Sequence, residues 1–312
     1  MHVYRWDLDK TYLDTDIHSV RSMIRAAFES ASEKRNIPGA SALLRGLMRT
    51  DPDCRVSIVS GSPTQLRTVL EEKLALDGIR FDSLILKDHI SNLKRGRLRA
   101  VYGQLGYKLP ALLDQRKGLG STVRETCFGD DTEVDAVIYA LYGEVVSGRV
   151  NESTMARIMT AGGAYPDAID LAKSALRRLG TADIVDDIFI HIDRGIPIRQ
   201  FQLLGPRVIP VFSWFQAALV LHARGRLDIE AIVEVVSRTA PDTPDRSASW
   251  VQDIVRRGLL ERDQVMAMLG SHSALEPLVA PSTRALDRLR GVVTERTPRK
   301  PDFLGFLTAL RH

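Results

Sequence analysis

Cysteine is nearly missing from this chain of 312 residues. Cys54 and Cys127 are its two thiols. That excludes a disulfide framework and points to a reducing, cytoplasmic setting, where each thiol is expected to act as a small buried apolar side chain. Long apolar runs are lacking too. The most apolar stretch, residues 208–221, is 14 residues long and interrupted by Pro210, Ser213 and Gln216. A membrane-crossing helix needs roughly 20 apolar residues, so no transmembrane segment is expected, and the stretch reads as a buried strand followed by a core helix. No targeting segment is expected, because no basic start and apolar run precede the first strand. His18, His89 and His191 do not stand at a metal-ligand spacing. Internal repeats and low-complexity tracts are absent.

What is present is ordinary for a globular protein: 44% hydrophobic and 26% charged residues. The charge is unevenly placed. Residues 87–117 hold Lys87, Lys94, Arg95, Arg97, Arg99, Lys108, Arg116 and Lys117 against Asp88 and Asp114, in a chain whose formal net charge is +4. A basic surface there would favour a phosphorylated substrate, an anionic lipid surface or nucleic acid; the alternative is a solvated charged face.

The first 150 residues alternate between strand-like and helix-like segments. Strands are expected at 2–6, 55–59, 81–86 and 123–128. Helices are expected at 17–35, 40–49, from Pro63 in a first turn to 76, at 108–117 and at 133–146. This rhythm predicts a parallel sheet with helices on both faces. Beyond residue 151, helices are expected at 154–159 and 167–179 and strands at 188–192 and 207–211. From residue 213 only helices are expected, with proline breaks at 241–244 and 277–281. A basic linker, 297–301, precedes a last apolar segment, 303–310. The expected division is a catalytic domain over 1–225, with a helical insertion at about 151–187, and a helical C-terminal extension over 226–312.

Four elements carry chemistry. Asp7-Leu8-Asp9-Lys10-Thr11 follows the first strand directly, where ligands bind in a doubly wound sheet. Two carboxylates so spaced suit a nucleophile that also holds a metal and a general acid–base. Ser60-Gly61 ends the second strand and offers a hydroxyl and free N–H groups to a phosphate oxygen. Gly129-Asp130-Asp131 ends a later strand. Asp7 and Asp130 are candidate magnesium carboxylates, with the Asp9 carbonyl as a third ligand. The fourth element is a lysine that offsets the negative charge, either Lys108 at a helix start or Lys87 at a strand end.

In this order the four elements resemble the signature of the haloacid dehalogenase superfamily, and within it the catalytic domain of actin-patch-associated phosphatidate phosphatases and their bacterial relatives. Further segments carry the likeness: Ile37-Pro38-Gly39-Ala40 with Leu43-Leu44, Ser60 to Leu66, Tyr107-Lys108-Leu109 with Leu112-Leu113, and Gly129-Asp130-Asp131 with Asp135 and Tyr139. Thr64, Asp131, Thr132 and Ala136 depart from it. The resemblance implies an α/β doubly wound, haloacid-dehalogenase-like Rossmannoid fold and a magnesium-dependent phosphomonoesterase. It implies that Asp7 attacks phosphorus to form an aspartyl-phosphate and that Asp9 protonates the leaving oxygen and activates water. Thr11 would orient the loop at the phosphate, Ser60 and the Gly61 N–H would bind phosphate oxygens, and Lys108, favoured over Lys87, would offset charge. Asp130 would bind magnesium, with Asp131 and Asp135 as direct or indirect support.

About 28 residues separate Asp9 from Pro38, room for a flap and one helix but not for a large cap. An open site suits a bulky phosphate ester such as a lipid headgroup. Two other readings stand beside it: a phosphatase acting on nucleic-acid ends, and a non-catalytic binding or scaffold protein that keeps the fold.

Overall fold

The computed structural model describes residues 1–15, 30–87, 103–132, 134–239, 243–289 and 300–310. Six strands form one parallel sheet: β1 (His2–Trp6), β2 (Arg55–Pro63), β3 (Ser83–Lys87), β4 (Arg124–Asp130), β5 (Val185–His191) and β6 (Val208–Val211). Their spatial order is β3-β2-β1-β4-β5-β6. The fold is the expected α/β doubly wound one. The direction of winding reverses between β1 and β4, and in sheets of this kind ligands bind at that point, beyond the carboxyl ends of the strands. Register puts Trp6 beside Ile58 on one side and Phe128 on the other, so Asp7, Val59-Ser60 and Gly129-Asp130 lie at one level across the sheet.

All five residues of β1 are buried, as a central parallel strand requires. Alternation splits them between two faces. On one face Trp6 stacks on Phe128 at 4.2 Å between ring centroids, and Phe128 on Phe189 at 5.5 Å. On the other, Arg5 is buried in a polar network. It donates to Glu125, to Gln115 Oε1 at 2.7 Å and to Tyr142 Oη at 3.4 Å. Arg116 donates to Glu125 Oε1 at 3.0 Å, and the Tyr142 hydroxyl to Glu125 Oε2 at 2.9 Å.

Contacts divide the chain into two compact units, one of residues 1–35, 55–210 and 297–312, the other of 36–54 and 211–296. In the first, the helices Leu105–Arg116, Asp135–Val146, Glu152–Ala161, Pro166–Leu176 and Phe303–Ala309 share an apolar core with the sheet residues Val59, Cys127, Ile188 and Ile190. In the second, the helix Ala40–Thr50 packs on Ile229–Thr239, with Arg49 bonded to Asp228 at 2.8 Å. The helices Trp214–Ala223, Pro244–Arg256, Arg262–Gly270 and Glu276–Asp287 complete it.

This division differs from the expected 1–225 and 226–312. The helix Ala40–Thr50 buries Leu43, Leu44 and Leu47 in the later helical unit, and Phe303, Phe306 and Leu307 return to the first core. Pro63 differs as well. It ends β2 with extended angles (φ −63°, ψ 144°), a short 3-10 turn Thr64–Leu66 follows, and the helix is Arg67–Leu76. Pro277 and Pro281 do not break a helix at 277–281. Pro277 sits in the first turn of Glu276–Asp287, where its missing N–H costs nothing, and Pro281 lies within that helix. Of the expected helix 17–35, residues 16–29 lie outside the described ones, and 31–33 form a turn. Cys54 and Cys127 are buried thiols. No helix among the described residues is long and apolar enough to cross a membrane.

Burial pushes the Glu125 carboxyl up, but Arg5, Arg116 and the Tyr142 hydroxyl outweigh it and hold the group below its ordinary value. A carboxyl lowered in the folded state adds stability above its unfolded pKa and loses it as pH falls through the folded one. Glu125→Gln leaves two buried guanidiniums without their carboxylate. The loss expected at neutral pH is about 3–5 kcal/mol of unfolding free energy. Urea unfolding of both proteins across pH checks this: the difference should be full above about pH 4.5 and shrink below it.

Candidate active site

The site is built where β1, β2 and β4 end. The Asp7 backbone N–H donates to the Phe128 carbonyl at 2.9 Å, which extends the β1–β4 ladder by one residue and aims the Asp7 carboxylate out of the sheet edge. The carboxylate is buried. Its Oδ1 accepts from Lys108 Nζ at 2.7 Å and its Oδ2 from the Thr11 hydroxyl at 3.2 Å. The same hydroxyl lies 3.2 Å from Asp130 Oδ2. Thr11 therefore sits between the two acids.

Lys108 comes from the first turn of the helix Leu105–Arg116 and is fully buried. It also donates to Asp135 Oδ1 at 2.6 Å. Lys87 is the other lysine candidate. It is buried too, but its Nζ stands 5.9 Å from the centroid of the Tyr107 ring; Lys108 is the lysine that meets Asp7. Asp135 opens the helix after β4 and comes close because residue 129 is glycine. A Cβ built on Gly129 would lie 2.7 Å from both Asp135 Cβ and Oδ2. Tyr139, one turn further on, is buried behind Asp135, and burial, with the Asp135 charge, pushes its phenol well up and keeps it neutral.

Asp7, Asp130 and Asp135 each bring a buried carboxylate oxygen within 4.8 Å of the others. Asp135, expected as direct or indirect support, stands in this cluster, while the Asp9 carboxylate points elsewhere. Its Oδ2 accepts from Ser60 Oγ at 3.0 Å and Ser62 Oγ at 2.7 Å, and its Oδ1 from Thr15 Oγ1 at 2.7 Å. Ser60 Oγ in turn accepts from the Ser62 N–H at 2.9 Å, so the Ser60-Gly61 strand end and the second acid form one hydrogen-bonded group. Asp130 Oδ1 accepts from the Thr132 N–H at 2.6 Å and from the Thr132 hydroxyl.

Asp131 has a different task. Its carboxylate accepts three backbone N–H groups: Asp193 at 2.8 Å, Arg194 at 2.7 Å and Ile196 at 3.0 Å. It pins the loop after β5 beside the metal-ligand candidates. Lys10, at φ 59°, is the described non-glycine residue with left-handed backbone. Its ammonium pairs with Asp14 at 2.9 Å and Asp193 at 3.7 Å. The ring of His191, at the end of β5, is lowered by burial, partly offset by Asp193 and Asp131.

Sequence reading passed over Ser62, Thr15, Thr132 and Gln104. Ser62 lay inside a quoted motif and Gln104 stands four residues before Lys108, a helical spacing; nothing in the sequence marks Thr15 or Thr132 as reaching an acid.

With this geometry in place, known proteins become informative. Residues 6–155 match the family of the phosphatidate phosphatase APP1 catalytic domain. That span holds every group from Asp7 to Asp135 described above. It supports the relation to these phosphatases that the four motifs suggested, and a phosphohydrolase reading of the site. No curated protein and no solved structure matches the chain.

Two substitutions separate the pinned loop from the strained residue. Lys10→Gly relieves a left-handed backbone that costs about 1–2 kcal/mol and loses partly exposed ion pairs worth up to about 1 kcal/mol each. Its unfolding free energy is expected within about 1 kcal/mol of wild type. Asp131→Ala removes a charged acceptor from three N–H groups and should cost at least about 2 kcal/mol. Chemical denaturation of both variants checks the ranking.

Proposed function

We propose that the chain is a magnesium-dependent phosphomonoesterase that works through an aspartyl-phosphate on Asp7, with a lipid phosphate such as phosphatidate as substrate. The observation that carries this is the position of Asp7: a buried carboxylate held between Lys108 and Thr11, at a strand end beside the Ser60-Gly61 edge. The lipid half of the proposal rests on the family match over residues 6–155 and on the short segment between Asp9 and Pro38, too short for a large cap and so suited to a bulky phosphate ester.

The carboxylates of Asp7, Asp130 and Asp135 are a hard-oxygen donor set that fits Mg2+, and the Asp9 carbonyl is proposed as a further ligand. A bound ion would neutralise charge on the phosphoryl oxygens. This chain's own residues do the rest. The Gly61 N–H orients the phosphate together with the Ser60 hydroxyl, which turns from Asp9 to a phosphate oxygen when substrate binds, and Lys108 keeps the Asp7 carboxylate aimed at phosphorus. An Asp7 oxygen bonds to phosphorus as the ester P–O bond breaks, and protonated Asp9 gives its proton to the departing alkoxide. Asp9 then takes a proton from water. The water oxygen bonds to phosphorus, the Asp7 O–P bond breaks, and phosphate leaves. Most of the rate enhancement would come from positioning and charge stabilisation.

Turnover of an aryl phosphate, of phosphatidate in mixed micelles and of phosphorylated DNA ends is the test, each with magnesium and with chelator. Expected is chelator-sensitive turnover, highest on phosphatidate, that falls at least about a thousand-fold in Asp7→Asn, as removal of a nucleophile does. Turnover that survives Asp7→Asn removes the nucleophile assignment. A preference for DNA ends replaces the lipid substrate with nucleic acid.

A further inference from the structure

Gln104 stands immediately before the helix that carries Lys108, and its side chain makes no capping hydrogen bond to that helix. Its backbone carbonyl accepts the Lys108 N–H at 2.8 Å. The two residues are therefore one turn apart and project from the same helix face. Lys108 reaches Asp7; the Gln104 carboxamide lies against Gly61. A Cβ built on Gly61 would fall 2.1 Å from Gln104 Nε2 and 2.8 Å from both Cδ and Oε1. The carboxamide thus fills the place a side chain at residue 61 would need, and Gly61 is a glycine because this amide lies on it. Gln104 is also buried, away from the solvent a polar surface residue would prefer.

We infer that the Gln104 carboxamide binds the substrate phosphate, donating an Nε2–H to a non-bridging oxygen between the Gly61 N–H and Lys108. The inference rests on the proposed function and deepens it by one residue. A neutral donor suits this place. It adds a hydrogen bond to the phosphoryl group without a second positive charge beside Lys108, which is already shared between Asp7 and Asp135. Donors fixed in a buried cradle act on the charge that grows on phosphoryl oxygens during transfer.

Gln104→Ala and the isosteric Gln104→Glu test this, with kcat and KM on an aryl phosphate, the inhibition constant of inorganic phosphate and the thermal midpoint as readouts. Expected for Gln104→Ala is a loss of about ten-fold in kcat/KM and a similar weakening of phosphate inhibition, the size of one hydrogen bond to a charged group. Gln104→Glu keeps the shape but sets a carboxylate against the phosphate, and should lose about a hundred-fold or more in both. Gln104→Ala should keep the wild-type thermal midpoint within a few degrees, while the buried carboxylate of Gln104→Glu should lower it. Phosphate inhibition unchanged in Gln104→Glu overturns the inference, whatever happens to kcat, because a residue that only shapes the fold would leave phosphate affinity alone. Absence of both turnover and phosphate binding in the wild type overturns the functional reading itself, and this contact with it.

Discussion

The ammonium of Lys108 is the charge around which the site is arranged. Buried carboxylates from a strand end, from a second strand end and from a helix start meet within 4.8 Å. Two unit charges 4 Å apart repel by about 4 kcal/mol at the effective dielectric typical of proteins. Lys108, bonded to Asp7 and Asp135 at 2.7 and 2.6 Å, offsets part of that repulsion. Much nearby detail serves this arrangement. Glycine at 129 lets Asp135 approach, Thr11 lies between Asp7 and Asp130, and the Thr132 N–H holds Asp130 from the other side. Three carboxylate oxygens this close are suited to a small divalent cation.

The sheet carries two polar centres on different principles. Around Arg5 and Glu125 two guanidiniums share one carboxylate and are bonded inside the protein, and the network spans β1, β2, β4 and two helices. It is closed and serves cohesion. At the carboxyl ends of the same strands, the carboxylates of Asp7, Asp130 and Asp135 gather where the winding reverses. The difference follows from position in the strand: Arg5 lies inside the hydrogen-bonded ladder, while Asp7 lies one residue past it.

Much of this was legible in the sequence because it is local. β1 reads as an apolar pentapeptide and occupies His2–Trp6 as expected. The motif residues Asp7 and Asp130 stand at strand ends as their flanking apolar runs imply, whereas β2 runs on past Ser60 to Pro63. What periodicity could not show is pairing across distance. Arg5 lies within the strand expected at 2–6, and its partner Glu125 is 120 residues away. The helix Ala40–Thr50 looked like part of the first domain, though its apolar face belongs with helices nearly 200 residues later. Asp131 read as a companion of Asp130, yet adjacent residues in a turn point apart, and its three N–H partners lie beyond β5. Pro63 suggested a helix start by its ring-fixed φ alone; its extended ψ continued the strand instead.

The most direct test of Asp7 as phosphoryl acceptor is chemical. Acid-quenching the protein during turnover with magnesium, then digesting and weighing its peptides, looks for the phosphoryl group itself. The chemistry proposed here predicts one added phosphoryl group on the peptide that contains Asp7, formed within the first turnover and lost on further incubation without substrate. A phosphoryl group on any other residue, formed and lost at the rate of turnover, would contradict it.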